Sequence, residues 1–130
     1  MKLLKKEYEQ LFYKSDKNIG STFSLVEKNN YFEWSATLTG PKDTSYKGAV
    51  FFLYITFPND YPTHPPEVVF RTPIYHLNIN PIKSNVPGAA PLGHVSISIL
   101  NWWKPYYTIK EIMASIFALL YMPNPESPYS

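Results

Sequence analysis

From residue 21 to residue 70, apolar side chains recur at alternate positions in successive short runs, a period that strands produce and helices do not. In "YFEWSATL", Phe32, Trp34, Ala36 and Leu38 share one face; in "GAVFFLYITFP", so do Phe51, Leu53, Ile55 and Phe57. An earlier run, "STFSLVEKNN", meets the first of these at Asn29-Asn30, a pair whose tolerance of positive φ suits a hairpin turn. After the proline-rich turn "PNDYPTHPPE", "VVF" makes a short fourth strand. Each connection returns the chain beside its last strand, so an antiparallel four-stranded meander is expected.

Helical spacing flanks this block. Leu4, Tyr8, Leu11 and Phe12 form one apolar stripe, which predicts a helix over residues 2–14 with lysines and glutamates on its other face. "TIKEIMASIFALL" predicts a second, with Thr108 as N-cap, Glu111 completing a capping box and Pro123 as the stop. Its expected buried stripe is Ile109, Ile112, Met113, Ile116, Phe117 and Leu120. Between the meander and this helix, residues 71–107 keep no sustained period. That is too long for an idle connection, and such passages in compact domains are usually functional. The expected class is α+β, as one domain over residues 1–130: N-terminal helix, four-stranded antiparallel meander, long irregular segment, helix. An apolar fraction of 45%, with 17% aromatic, fills a core, and 13 prolines, crowded beyond residue 58, fix the loops.

Composition excludes several functions. A net charge of +2 is too small to argue for nucleic acid or an anionic membrane surface. No window approaches the roughly 18 unbroken apolar residues of a membrane span, and "MKLLKKEYEQ" lacks the apolar core of a signal peptide. A cytoplasmic or nuclear location is the default expectation. The chain contains no cysteine, so disulfides, thiolate metal sites and thiol nucleophiles are excluded. Its histidines, at 64, 76 and 94, have no paired metal-ligand spacing, and no metal is expected.

The stretch "GHVSISIL" carries the chemical question. From the residues alone, Ser96 reads as an ordinary hydroxyl within an apolar strand-like run, bonded to backbone. A sharper reading makes it a nucleophile with His94, two residues back, as base. That reading lacks the third group needed to hold the imidazole, so a serine hydrolase is kept only on proximity.

The order of motifs along the chain closely resembles the ubiquitin-conjugating enzymes. Gly40-Pro41 is followed by Tyr46, Gly48 and Phe51, then Phe57-Pro58, Tyr61-Pro62 and Pro65-Pro66. Tyr75-His76 with Asn78 come next, then Trp103 with Pro105, a helix, and "PNP" at 123–125. The resemblance covers about residues 1–128 and implies that family's fold. It also implies a reaction class, in which ubiquitin or a ubiquitin-like modifier is held as a thioester on a cysteine and passed to a lysine, with no cofactor. The implied partners are the modifier, a ubiquitin-activating enzyme, and a ubiquitin ligase or a catalytic conjugating-enzyme partner.

Carried over position by position, the resemblance puts Ser96 in the cysteine's place. It gives Asn78 the support of the active-site loop and of the oxyanion during lysine attack. Ser127 falls where many members gate the groove with an aspartate. His76 stands as a candidate base, against a structural reading in which it packs and bonds within its own loop. Partner contacts fall to Thr63, Trp103, Pro105 and Tyr106, with Lys5 and Lys6, beside Lys2, facing an activating enzyme or simply water. Of Trp102 and Trp103, one is expected to cover core and the other to face outward.

Departures cluster at the implied active site. Leu77 replaces a proline before Asn78, the acidic residue after the cysteine becomes Ser98, and residues 81–92 lengthen the loop beside the groove. Thr63 replaces the apolar residue that serves RING-type ligases, and Tyr106 replaces a small one. The chain reaches Ser130 at the point where most members of the family continue into two more helices, so those helices are not expected among its residues. A serine hydroxyl is far less acidic than a thiol of pKa about 8.5 and forms an oxyester, a poorer acyl donor to amines. Two readings remain: a cysteine-less variant acting as a ubiquitin- or partner-binding module, and an authentic conjugating enzyme carrying an engineered Cys-to-Ser change at position 96.

Overall fold

A computed structural model of the 130-residue chain describes residues 2–13, 21–72, 95 and 97–121, with residues 12 and 13 described by their backbone alone. Helix α1 (Lys2–Tyr13) leads into four strands, β1 (Thr22–Leu25), β2 (Glu33–Thr39), β3 (Val50–Thr56) and β4 (Glu67–Phe70). A short helix, α2 (Ser98–Asn101), and a longer one, α3 (Ile109–Tyr121), follow. The strands form one antiparallel sheet in the order β1-β2-β3-β4, the meander that their alternation predicts.

Register follows from burial. Ala36 pairs with Phe23 and with Leu53, Trp34 with Ile55, and Leu53 with Phe70, so cross-strand neighbours place their apolar side chains on one face. A slip of one residue would turn this whole set into water. Trp34, Leu38 and Ile55 are completely inaccessible, and Phe23, Ala36, Phe51, Leu53, Val68 and Phe70 are buried with them. Burying each large side chain of this kind contributes roughly 1.5–3 kcal/mol relative to leaving it exposed. Leu4 of α1 and Ile109, Ile112, Met113, Ile116, Leu119 and Leu120 of α3 belong to the same cluster. The α3 stripe thus differs from the sequence expectation at two places: Leu119 is buried, while Phe117 lies half-buried against Tyr121.

The turns obey local chemistry. Asn29 has φ 64°, the left-handed conformation anticipated for the hairpin, and the Asn30 side chain accepts a hydrogen bond from the Phe32 amide at 3.0 Å. Gly40 leaves β2 where a Cβ would lie 1.8 Å from the Tyr46 carbonyl oxygen, so the β2–β3 connection closes only over a glycine. One reading is corrected. The strand-like run "SISIL" turns helical after Ile97, because α2 begins at Ser98, with amides 100 and 101 donating to the Ile97 carbonyl at 3.1 and 2.9 Å.

Candidate functional site

Two anchors fix the chain on either side of the position that matters most. Val95 donates its amide to the Val68 carbonyl at 3.1 Å, extending the sheet beyond β4, and its side chain is buried. Ile97 is buried as well, in extended conformation at φ −143° and ψ 158°, and the chain then coils into α2. Ser96, between these anchors, lies outside the described residues, as do His76, Asn78, His94, Ser127 and the lengthened loop 81–92. Of the active-site residues expected from the sequence, the flanks are therefore in place and the reacting positions are not described.

The expected partner-facing residues fall together. The 57–66 connection folds back on itself through Tyr61 N–H to Pro58 O (3.0 Å) and Thr63 N–H to Asp60 O (2.8 Å). The Tyr61-Pro62 peptide is cis. His64 pairs with Asp60 across this turn, both exposed. From the other side, Trp103 donates its indole N–H to the Pro62 carbonyl at 2.7 Å, so the segment after α2 is tied to the 57–66 turn. An aromatic line runs through the junction. Phe57 meets Tyr61 with ring centroids 4.9 Å apart, Tyr61 meets Trp103 at 6.0 Å, Trp103 meets Tyr107 at 5.5 Å, and Tyr107 meets Tyr106 at 5.1 Å. Thr63, Pro105 and Tyr106 emerge from it into solvent. Trp102 is 75% exposed while Trp103 is half-buried, the division expected for adjacent residues.

Helix α1 joins the same region through a residue the sequence reading passed over. Glu7 is buried between the exposed Lys5 and Lys6 and the half-buried Tyr8. One carboxylate oxygen accepts the Tyr61 hydroxyl at 2.8 Å, and the other accepts the Ile109 amide, the first N–H of α3, at 3.0 Å. The signal was available: Glu7 stands three residues after Leu4 and four before Leu11, within the apolar stripe. Burial pushes the Tyr61 hydroxyl far above the ordinary tyrosine value, and the adjacent Glu7 carboxylate adds to the shift.

The capping box of α3 is only half formed by its own residues. The Glu111 amide donates to Thr108 Oγ1 at 3.3 Å, and that hydroxyl donates to the Glu111 carboxylate at 3.2 Å. Glu7, from another helix, meets an amide of the same first turn. Glu7, Gln10, Leu11, Thr108 and Lys110 line a cleft of about 360 Å³ between α1 and α3. No group of three or more carboxylate or histidine side chains among the described residues could hold a metal ion, and no described helix is long and apolar enough to cross a membrane.

Comparison with known proteins agrees with this architecture. The family model described as "Ubiquitin-conjugating enzyme" matches residues 3–130. "Ubiquitin-conjugating enzyme E2 13" of Arabidopsis thaliana is 40% identical over 115 residues, which span 84% of this chain and 68% of that protein. Among solved structures, human ubiquitin-conjugating enzyme E2 G1 superposes with a TM-score of 0.79 at 32% identity, covering 93% of each chain. A match along nearly the whole chain, on a helix, a four-stranded meander and a following helix, makes this protein a member of the ubiquitin-conjugating enzyme family.

Proposed function

We propose that this chain is a ubiquitin-conjugating-enzyme-like domain that binds ubiquitin or a related modifier together with a partner enzyme, and does not itself carry the modifier as a thioester. One observation carries the reading: a member of a family that works through a cysteine contains none; the order of motifs supports Ser96 as the residue in that nucleophile's place. A hydroxyl without a positioned base is a weak nucleophile, and an oxyester once formed gives up its acyl group to amines slowly. The exposed surface around Thr63, Trp103, Pro105 and Tyr106, with Lys5 and Lys6 on α1, supports a role in partner contact.

A second reading, a working enzyme with cysteine exchanged for serine at position 96, is favoured by the intact anchoring of Val95 and Ile97. One experiment separates the two. Ser96→Cys is incubated with a ubiquitin-activating enzyme, ATP and ubiquitin, and the products are run with and without reductant. An adduct that reductant removes means that the surroundings still support charging, which is the outcome the second reading expects. No adduct from a variant that stays folded means that the site has been retired beyond its nucleophile, as the binding-module reading requires. The unaltered protein is expected to give no reductant-sensitive band in either case.

A further inference from the structure

We infer that Glu7 is a positioning residue that locks α1 and the two partner-facing loops into a single surface; this rests on the reading of those loops as the partner-contact site. The geometry is specific. Three segments far apart in sequence, α1, the 57–66 turn and the start of α3, converge on the two oxygens of one buried carboxylate. One oxygen holds Tyr61, whose ring lies 6.0 Å from that of Trp103 and whose neighbour Pro62 accepts the Trp103 indole proton. The other holds the first amide of α3 at the end of the segment that carries Pro105 and Tyr106. Lys5 and Lys6, exposed on α1, immediately precede this carboxylate in the chain.

The chemistry also says which replacement preserves the lock. Ile109 N–H can only donate, so it needs an acceptor oxygen, whereas the Tyr61 hydroxyl can donate or accept. In Glu7→Gln the amide oxygen accepts from Ile109 and the amide nitrogen donates to the Tyr61 oxygen, so both links survive without the charge. In Glu7→Ala both are lost. In Tyr61→Phe the link to the turn is lost and that to α3 is kept.

The test measures solvent exchange of the Trp103 indole proton and of backbone amides by NMR on the full chain. In Glu7→Ala and Tyr61→Phe, Trp103 exchange is expected to quicken by about tenfold, the factor that one hydrogen bond of ordinary net strength carries. The amides of Ala36 and Leu53 in the central strands should keep their protection, and Glu7→Gln should restore Trp103 to its original rate. Unchanged Trp103 exchange in both disruptive variants overturns the proposal. So does an equal quickening at Ala36 and Leu53, which would make Glu7 a general stabiliser. A second readout uses the same variants on the Ser96→Cys background. The KM for charging by the activating enzyme is expected to rise in Glu7→Ala with kcat unchanged, and to recover in Glu7→Gln; a change confined to kcat contradicts positioning. If Ser96→Cys accepts no ubiquitin, the charging reading alone has failed, and the exchange rates still decide the role of Glu7.

Discussion

Tyr61 shows how a single side chain can tie stability to pH. Its hydroxyl is buried and donates to Glu7, so the folded state keeps the phenol protonated well beyond the pH at which an unfolded tyrosine, with pKa about 10, ionises. The folded value is raised above the unfolded one. The contribution is therefore fully present below about pH 10 and is lost as pH rises, because the unfolded chain sheds a proton that the folded chain retains. Burial likewise raises Tyr46 and Tyr54, with the Glu33 carboxylate adding to the shift at Tyr54, so all three push in the same direction. Denaturant unfolding measured across the alkaline range should show a falling stability whose slope decreases by one proton in Tyr61→Phe. An unchanged slope would mean that the phenol ionises in place. The burial of Glu7 was legible in the sequence from its place in the apolar stripe of α1, but its pairing with Tyr61 was not. Tyr61 was visible there as a family mark beside Pro62, but its partner is 54 residues away, on a helix read as a simple amphipathic stripe. Local spacing gives the faces of an element. It does not give what a buried carboxylate will meet.

Among the elements, α3 shows both the reach and the limit of pattern reading. Its start at Thr108 was legible because an N-cap is a local device, and the Glu111 amide does bond to the Thr108 hydroxyl. The Glu111 side chain turns to that same hydroxyl, and the Ile109 amide instead finds Glu7. Thr108→Ala should then cost about 1 kcal/mol in denaturant unfolding, the ordinary value for a lost N-cap. It should not unfold the first turn, because Glu7 still holds one of its amides. A loss several times larger would show that the tertiary link depends on the local one. The strands were the most legible elements, since alternation over β2 and β3 fixes which side is buried. The segment before α3 was the least. Residues 98–101 fell within a segment of no sustained period, where Ile97 and Ile99 alternating with serines made the run only strand-like, and a four-residue helix carries no periodic signal strong enough to overrule that pattern.

On the scale of the whole molecule, family and fold class were readable because motif order and periodicity are spread over the chain. The proposed site was readable only as a set of positions. Which loops touch, and through which atoms, depends on contacts such as that between Trp103 and Pro62, 41 residues apart. The three tryptophans have a further consequence. Trp34 is fully buried in the sheet core, Trp103 is half-buried at the loop junction, and Trp102 stands 75% in water. Indole emission moves to longer wavelength as the ring is wetted, so the intrinsic fluorescence of this chain has one contributor from its centre, one from the junction between the 57–66 turn and the segment after α2, and one already largely in water. Unfolding should redden only the first two. A partner that covers Trp102 should shift emission the opposite way, to the blue, so the folded protein can report its own occupancy without a label.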